Sequence, residues 1–413
     1  MQNRFLPRAR RSRIVRALAV AAFATLVAFP AVAQTTYNLG ALMAYTGDLE
    51  VYGKACLNGV NLAVDQINSQ GGVLGGKLAV VTGDTQTAPQ AGISAAQRLV
   101  SVDNVFAIVG ALSSGVTIPV AESVTDPAGV VLMSPASTSP KITTLKDNDF
   151  LFRTVPSDAY QGVALGEVVA QNNYTNVATI YINNAYGSGL SDAFTAAFQK
   201  RGGTVSEAIP YDPGQASYQG ELAKAASGGA QALAVIGYPE NGVTILKEAI
   251  EGGYFSKFIF TDGMKSPVII KDIGAQYLDG SIGTAPEALA SSEAATIFRQ
   301  DYQQKYGELP PQPYIDTAYD ATFVLAMALE KAGSANPTAV RNAIRFVANP
   351  PGTQILPGQW AKAKQLIDSG ADVNYQGASG PINFDQNGDV SGTYAYWTIK
   401  NGKIETVRVF APK

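Results

Sequence analysis

Apolar positions along the chain follow two alternating periods. Short runs rich in β-branched residues occur at Tyr37–Met43, Leu78–Thr82, Phe106–Val109, Val130–Met133, Val177–Ile182, Ala232–Ile236, Phe258–Thr261 and Ser281–Thr284. Between them, apolar residues recur every three to four positions over Gly53–Asn68, Pro89–Val100, Gly189–Arg201, Gly242–Glu251 and Glu293–Lys305. The first pattern fits strands buried on both faces, and the second fits amphipathic helices. Their alternation predicts an α/β fold of parallel sheets covered by helices, and so many strands predict two sheets rather than one. The pattern pauses at Phe152–Ser157 and restarts, and the second series ends near Gly283–Pro286. Helical stretches at Tyr314–Ala332 and Pro337–Val347 follow. The tail from Gly377 predicts a hairpin: Pro381–Phe384, a turn at Asp385–Asp389, Gly392–Lys400, and a further turn at Asn401-Gly402.

Residues 1–33 stand apart from this pattern. Six arginines (Arg4, Arg8, Arg10, Arg11, Arg13, Arg16) and no acid precede an apolar run from Ala17 to Phe29 and then Ala31-Val32-Ala33. A basic start, a short apolar run and small residues spaced A-x-A predict a signal peptide cleaved after Ala33. The run is too short to span a bilayer. Arg10-Arg11 raises twin-arginine export, although the rest of that motif is poor. Gln34 stands where a lipoprotein needs cysteine, so the mature chain is expected to be soluble in the periplasm of a Gram-negative cell.

Composition narrows the chemistry. The 413 residues contain no histidine and one cysteine, Cys56. Imidazole base catalysis, Ser-His-Asp and Cys-His arrangements, His-containing zinc sites and an intrachain disulfide are thereby excluded. The formal charge is −3; without the six leader arginines it becomes 24 basic against 33 acidic residues, or −9. That argues against nucleic acid or an anionic membrane as partner. Binding becomes a better expectation than catalysis, with no cofactor and no metal. An exported enzyme working without histidine is the reading of another class.

Two near-motifs are set aside. Gly71-Gly72-Val73-Leu74-Gly75-Gly76-Lys77 has phosphate-loop spacing, but Leu78 replaces the required Ser/Thr and the segment runs from helix to strand. A helix end followed by a turn explains it. Asp385, Asn387 and Asp389 have calcium-loop spacing, but no glutamate follows at the twelfth position, and a hairpin tip at Asn387-Gly388 explains them. Cys56, among Ala55, Leu57 and Val60, reads as a buried helix residue.

In parallel α/β sheets, ligands lie beyond the carboxyl ends of the strands. In the first series those ends carry Ser113-Ser114-Gly115 and Pro135-Ala136-Ser137-Thr138-Ser139; in the second they carry Ala185-Tyr186-Gly187, Gly237-Tyr238 and Asp262-Gly263. Ser113 and Ser114 open a helix, whose free amides can hold a carboxylate, and Ser137 and Thr138 on the next loop could complete the cradle. The same serines could be plain helix caps. Asp262 could meet an ammonium group, or serve as a cap or surface acid. Tyr186 and Tyr238 could cover a small ligand, or belong to the core.

The residues also resemble a known family. The stretch from Leu39 to Asp84, with Gly47, Tyr52-Gly53, Ile67-Asn68 and Gly71-Gly72, is similar to the opening of type I periplasmic binding proteins. The similarity is to the leucine/isoleucine/valine-binding branch of ABC transporter receptors. Gly110 to Ser114, Ser134-Pro135-Ala136, Tyr186-Gly187 and Gly377–Asp389 follow in family order. The resemblance implies two doubly wound lobes joined by a three-strand hinge, with lobe 1 at residues 34–154 and 285–376 and lobe 2 at residues 155–284 and 377–413. It implies a ligand carboxylate held by Ser114, Ala136 and Thr138. The ligand ammonium would be held by Asp262, with Tyr186 and Tyr238 as lids and Tyr52 lining the pocket. Asp262 is one methylene shorter than the glutamate of the leucine-binding members. The implied partners are a small amino acid and a membrane permease, met by a monomeric receptor. Receptors for amides, urea and aromatic acids share the fold and form the alternative. The segment from Asn349 to Gly377 looks longer than in the simplest members and has no role assigned.

Overall fold

The computed structural model describes Met1, Gln2, Arg4 and residues 34–413. Apart from those first three positions, the leader expected over residues 1–33 lies outside the described residues.

Four of the short apolar runs become β1 (Thr36–Met43), β2 (Lys77–Asp84), β3 (Ala107–Gly110) and β4 (Val131–Ser134), and a fifth strand, β5 (Leu151–Arg153), forms where the apolar pattern pauses. They pair in the order β2-β1-β3-β4-β5, all parallel. The second series gives β6 (Asn176–Ile182), β7 (Thr204–Tyr211), β8 (Leu233–Ile236), β9 (Phe258–Phe260) and β10 (Ile282–Pro286). Next, β11 (Thr353–Ile355), β12 (Val373–Gly377) and β13 (Gly380–Pro381) form a small sheet. The last strands, β14 (Tyr394–Lys400) and β15 (Lys403–Phe410), rejoin the second sheet, whose order is β15-β14-β10-β9-β8-β6-β7. β14 runs antiparallel to both of its neighbours, so this sheet is mixed rather than purely parallel. Helices on both faces make each sheet the centre of a doubly wound lobe. The chain passes between the lobes after β5, after β10 and before β14, and these three passages are the hinge.

The expected tail hairpin is corrected in register. β14 pairs with β15 around Asn401-Gly402, and Pro381–Phe384 does not pair with it. The Asp385–Asp389 turn is no hairpin tip. Asp385 Oδ1 accepts from the amides of Asn387 (2.7 Å) and Asp389 (3.0 Å). The Asp389 carboxylate takes Nε and Nη2 of buried Arg153 at 2.6 and 2.8 Å. Those bonds account for the acids whose spacing resembled a calcium loop. The turn at Gly71–Gly76 is likewise consumed by the protein: Leu74 N donates to Glu330 Oε2 (2.7 Å), and Trp360 Nε1 donates to Gly72 O (3.0 Å).

The Asn349–Gly377 segment thereby acquires a structural place. It supplies β11, the Trp360–Asp368 helix and β12, and Trp360 is wholly buried against the turn. Asp320 of the Ile315–Ala332 helix fastens its far end, accepting from Tyr375 OH, Ala378 N and both N and Oγ of Ser379.

The Glu50–Ser69 helix approaches β1 so closely that a Cβ on Gly53 would lie 1.8 Å from the Ala44 carbonyl oxygen. Backbone cannot yield as a side chain can. Gly53→Ala is expected to cost about 3 kcal/mol or more in urea unfolding; unchanged stability would show that the helix can lift away freely.

Candidate functional site: a closed cleft between the lobes

The carboxyl ends of β3, β4, β8 and β9 converge on one cavity between the lobes. It is lined by Leu49, Tyr52, Leu112, Ser114, Ala136, Tyr186, Tyr238, Asp262, Gly263 and Tyr314. Six of the residues singled out in the sequence thus face one space: Tyr52, Ser114, Ala136, Tyr186, Tyr238 and Asp262.

The first-lobe wall is built from two strand-end loops. Ser114 begins the Ser114–Val120 helix, and its Oγ accepts from Ser139 N (3.1 Å), tying the loops together. Ser134 Oγ holds the second loop by accepting from the amides of Ser137 (2.9 Å) and Ala136 (3.3 Å). Thr138 Oγ1 is buried without a well-aligned partner. Thr138, Ser137 and Ser113 do not line the cavity, and the two serines do other work. The Ser137 hydroxyl meets Thr117 Oγ1 (2.7 Å) and Leu112 O (3.1 Å), a strut within the lobe. Ser113 precedes the helix without a capping bond from its side chain; its Oγ meets Tyr238 OH at 3.0 Å across the cleft.

The second-lobe wall centres on Asp262, which is buried. Its Oδ1 accepts from Gln161 Nε2 (2.8 Å) and Tyr186 OH (2.9 Å), and its Oδ2 accepts from Tyr314 OH. Tyr186 and Tyr238 stack with centroids 5.5 Å apart and planes within 10°, forming a flat cover. Tyr52 OH donates to Gly263 O (3.0 Å), and Ser139 Oγ to Ala185 O (2.7 Å); with the Ser113–Tyr238 bond, these hold the lobes closed.

Electrostatically, three neutral donors surround a charge without a counterion. Among the described residues, no lysine or arginine pairs with Asp262; Lys265 is taken by Glu287 and Arg153 by Asp389. Burial pushes the Asp262 carboxyl above its usual range even though Tyr314, Tyr186 and Gln161 pull the other way. Behind it lies Asp158, fully buried, with no hydrogen-bonding neighbour but the poorly aligned Thr138 hydroxyl, and its pKa driven well up, first by burial and then by the Asp262 charge. The Gln161 Oε1 and Thr284 Oγ1 atoms nearby are also buried and unpartnered. Such orphaned groups are costly unless something from outside meets them.

Tyr314, Gln161 and Asp158 escaped the strand-end search because they lie on helices or at a helix start. Tyr314 precedes the Ile315–Ala332 helix in a left-handed conformation, φ 83°, that a tyrosine seldom adopts. Asp158 follows Ser157, whose Oγ accepts from Ala159 N, in a pattern indistinguishable in sequence from an ordinary helix start. Only the periodicity of apolar neighbours, which puts Asp158 and Gln161 on the buried face, could have raised them.

The family model described as periplasmic binding protein matches residues 36–396. The chain belongs to this family. Among individual members of the periplasmic binding protein family, the Leu/Ile/Val-binding protein BraC3 of Rhizobium johnstonii is 30% identical over 336 residues, covering 78% of this chain and 88% of that protein. Among solved periplasmic binding proteins, the leucine-binding protein LivK of Thermotoga maritima superposes with a TM-score of 0.77 at 26% identity, covering 91% of this chain and 99% of that one. LivJ of Streptococcus pneumoniae, a branched-chain amino acid transporter substrate-binding protein solved in complex with isoleucine, gives 0.76 at 25% identity, covering 92% and 100%.

Proposed function

We propose that this periplasmic binding protein is an exported receptor that closes by hinge motion on one small aliphatic amino acid and delivers it to an ABC permease. The observation that carries the reading is the uncompensated Asp262 carboxylate, held by three neutral donors in a cavity whose opposite wall offers hydroxyls and strand-end amides. An α-amino acid supplies both missing partners. Its ammonium would sit against Asp262, with Asp158 behind, and its carboxylate against Ser114, Ala136 and Thr138. Because the two ends fall on different lobes, binding energy and closure are the same event. Leu49 and Leu112 leave an apolar corner for the side chain, and the names of the relatives agree with a branched-chain ligand. On this reading the lobes comprise residues 34–154 with 285–376 and residues 155–284 with 377–413. The receptor acts as a monomer, in the periplasm, and without chemistry on its ligand.

A thermal-shift panel of amino acids, amides, urea and aromatic acids tests it. A small aliphatic amino acid at 100 times its dissociation constant should add about 2.7 kcal/mol to stability, and mass spectrometry should recover it unchanged. Stabilisation by an amide or aromatic acid alone would overturn the amino-acid assignment. Product formation would overturn the receptor.

A further inference from the structure

Behind the ligand cavity, beside the first hinge passage, lies a knot of buried oxygen atoms. Asp158 and Gln161 stand one turn apart on the Asp158–Gln171 helix, on the same face. Both are wholly buried, as is Thr284 on β10. Gln161 Nε2 donates to Asp262 Oδ1 (2.8 Å) and to Thr284 O (3.2 Å). Both partners are acceptors, so the nitrogen must be the atom that faces them, and Gln161 Oε1 is left as an acceptor. That oxygen, both carboxyl oxygens of Asp158 and Thr284 Oγ1 are buried without a well-aligned hydrogen-bond partner. From the first lobe, the poorly aligned Thr138 hydroxyl approaches Asp158, and Asp158 N donates to Thr138 O at 2.8 Å.

Charge sharpens the demand. Arg153, whose charge reaches Asp158, is spent on Asp389 through bonds of 2.6 and 2.8 Å. A ligand ammonium would offset one of the two acids. Asp262 lines the ligand cavity, whereas Asp158, Gln161 and Thr284 do not, so a ligand there meets the first acid and leaves the oxygens behind it unmet. A buried carboxylate left alone is costly.

The chemistry of the knot narrows what it can take. Its unpaired atoms are all oxygen, and oxygen donors select hard cations. Magnesium keeps several waters, for which a sealed site has no room, and calcium needs more oxygens than one carboxylate, an amide and a hydroxyl supply. We propose that Asp158, Gln161 Oε1 and Thr284 Oγ1 hold one dehydrated monovalent cation, sodium or potassium, which pins the second lobe to the Thr138 loop of the first and tightens ligand binding. Two acids then face two cations, one of them the ligand's ammonium. The proposal rests on the hinge-closure reading above. By linkage, an ion that favours the closed form strengthens ligand binding by the same factor as the ligand strengthens its own.

The test is calorimetry with isoleucine at about pH 8 in about 100 mM sodium, potassium or N-methylglucamine chloride, matched in ionic strength so that screening is constant. N-methylglucamine is too large for the site. The Kd in sodium or potassium should be about 10-fold lower than in N-methylglucamine, within the usual range for two coupled sites. Three equal values overturn the site. In Asp158→Asn that ratio should fall to about 1. Thr284→Val, which keeps the buried acid, should need a several-fold higher salt concentration for half the effect. An unchanged salt response in whichever variant folds overturns the assignment. If isoleucine binds in none of the salts, the receptor reading fails separately, and the ion is then read from thermal unfolding of the ligand-free protein. A Tm higher in sodium or potassium than in N-methylglucamine for the wild type, with the difference lost in Asp158→Asn and reduced in Thr284→Val, supports the site; a wild-type Tm equal in all three salts overturns it.

Discussion

Asp262→Asn is expected to weaken amino-acid binding roughly 10–150-fold, the equivalent of about 1.5–3 kcal/mol for a lost charge-assisted contact. The geometry makes the prediction selective. In the wild type the carboxylate is buried and its three donors, Gln161, Tyr186 and Tyr314, are neutral, so the unbound closed form carries a charge that no cation among the described residues offsets. An amide removes that cost and can keep part of the donor set. The ligand-free variant should therefore unfold no more than about 1 kcal/mol below the wild type, while its ligand-induced thermal shift largely disappears. Calorimetry with the best ligand of the panel checks the first half and urea unfolding the second. An unchanged Kd would remove Asp262 from the site. A large loss of ligand-free stability would make it a structural acid.

Asp389→Ala should act in the opposite sense, reducing stability by about 3–5 kcal/mol, the usual consequence of leaving a buried charge without its partner. Arg153 is wholly buried, and its guanidinium meets Asp389 through two bonds of 2.6 and 2.8 Å. The same group donates to Ser139 O (3.0 Å) and Thr143 Oγ1 (2.8 Å), so it also fixes the loop that carries Thr138. The pair links β5, that loop and the last hinge passage. Urea unfolding should show the loss, and the Kd for ligand should rise as the loop loosens. Replacing both residues by apolar ones of similar size should recover much of the stability, because no buried charge is then stranded. An Asp389→Ala protein as stable as wild type would mean that Arg153 reaches water.

Much of the fold was legible because central parallel strands are buried on both faces and so appear as unbroken apolar runs. β1, β3, β4, β6, β8 and β9 announce themselves in this way. The edge strands β7 and β15, TVSEAIPY and KIETVRVF, present half their residues to solvent and lose that signal. β5 has only three residues, one of them arginine, which reads as a surface group until Asp389 is brought to it from 236 positions away. The tail hairpin went astray for a related reason. Both Asp385–Asp389 and Asn401-Gly402 carry turn chemistry, and only pairing with β10 decides which one joins strands.

The site divides along the same line. Sequence by itself determined the absence of imidazole chemistry, the alternation of strand and helix, and the hydroxyls, tyrosines and acid at the strand ends, since each depends on residue type and local period. Tertiary structure decided which of those groups share a space. It set Ser113 and Ser137 to struts, and brought Asp158, Gln161 and Tyr314 in from helices. It also left Asp262 without a counterion among the described residues. Those outcomes depend on contacts between residues far apart in sequence, where burial and the distance between charges, rather than residue identity, set the energy of a polar group.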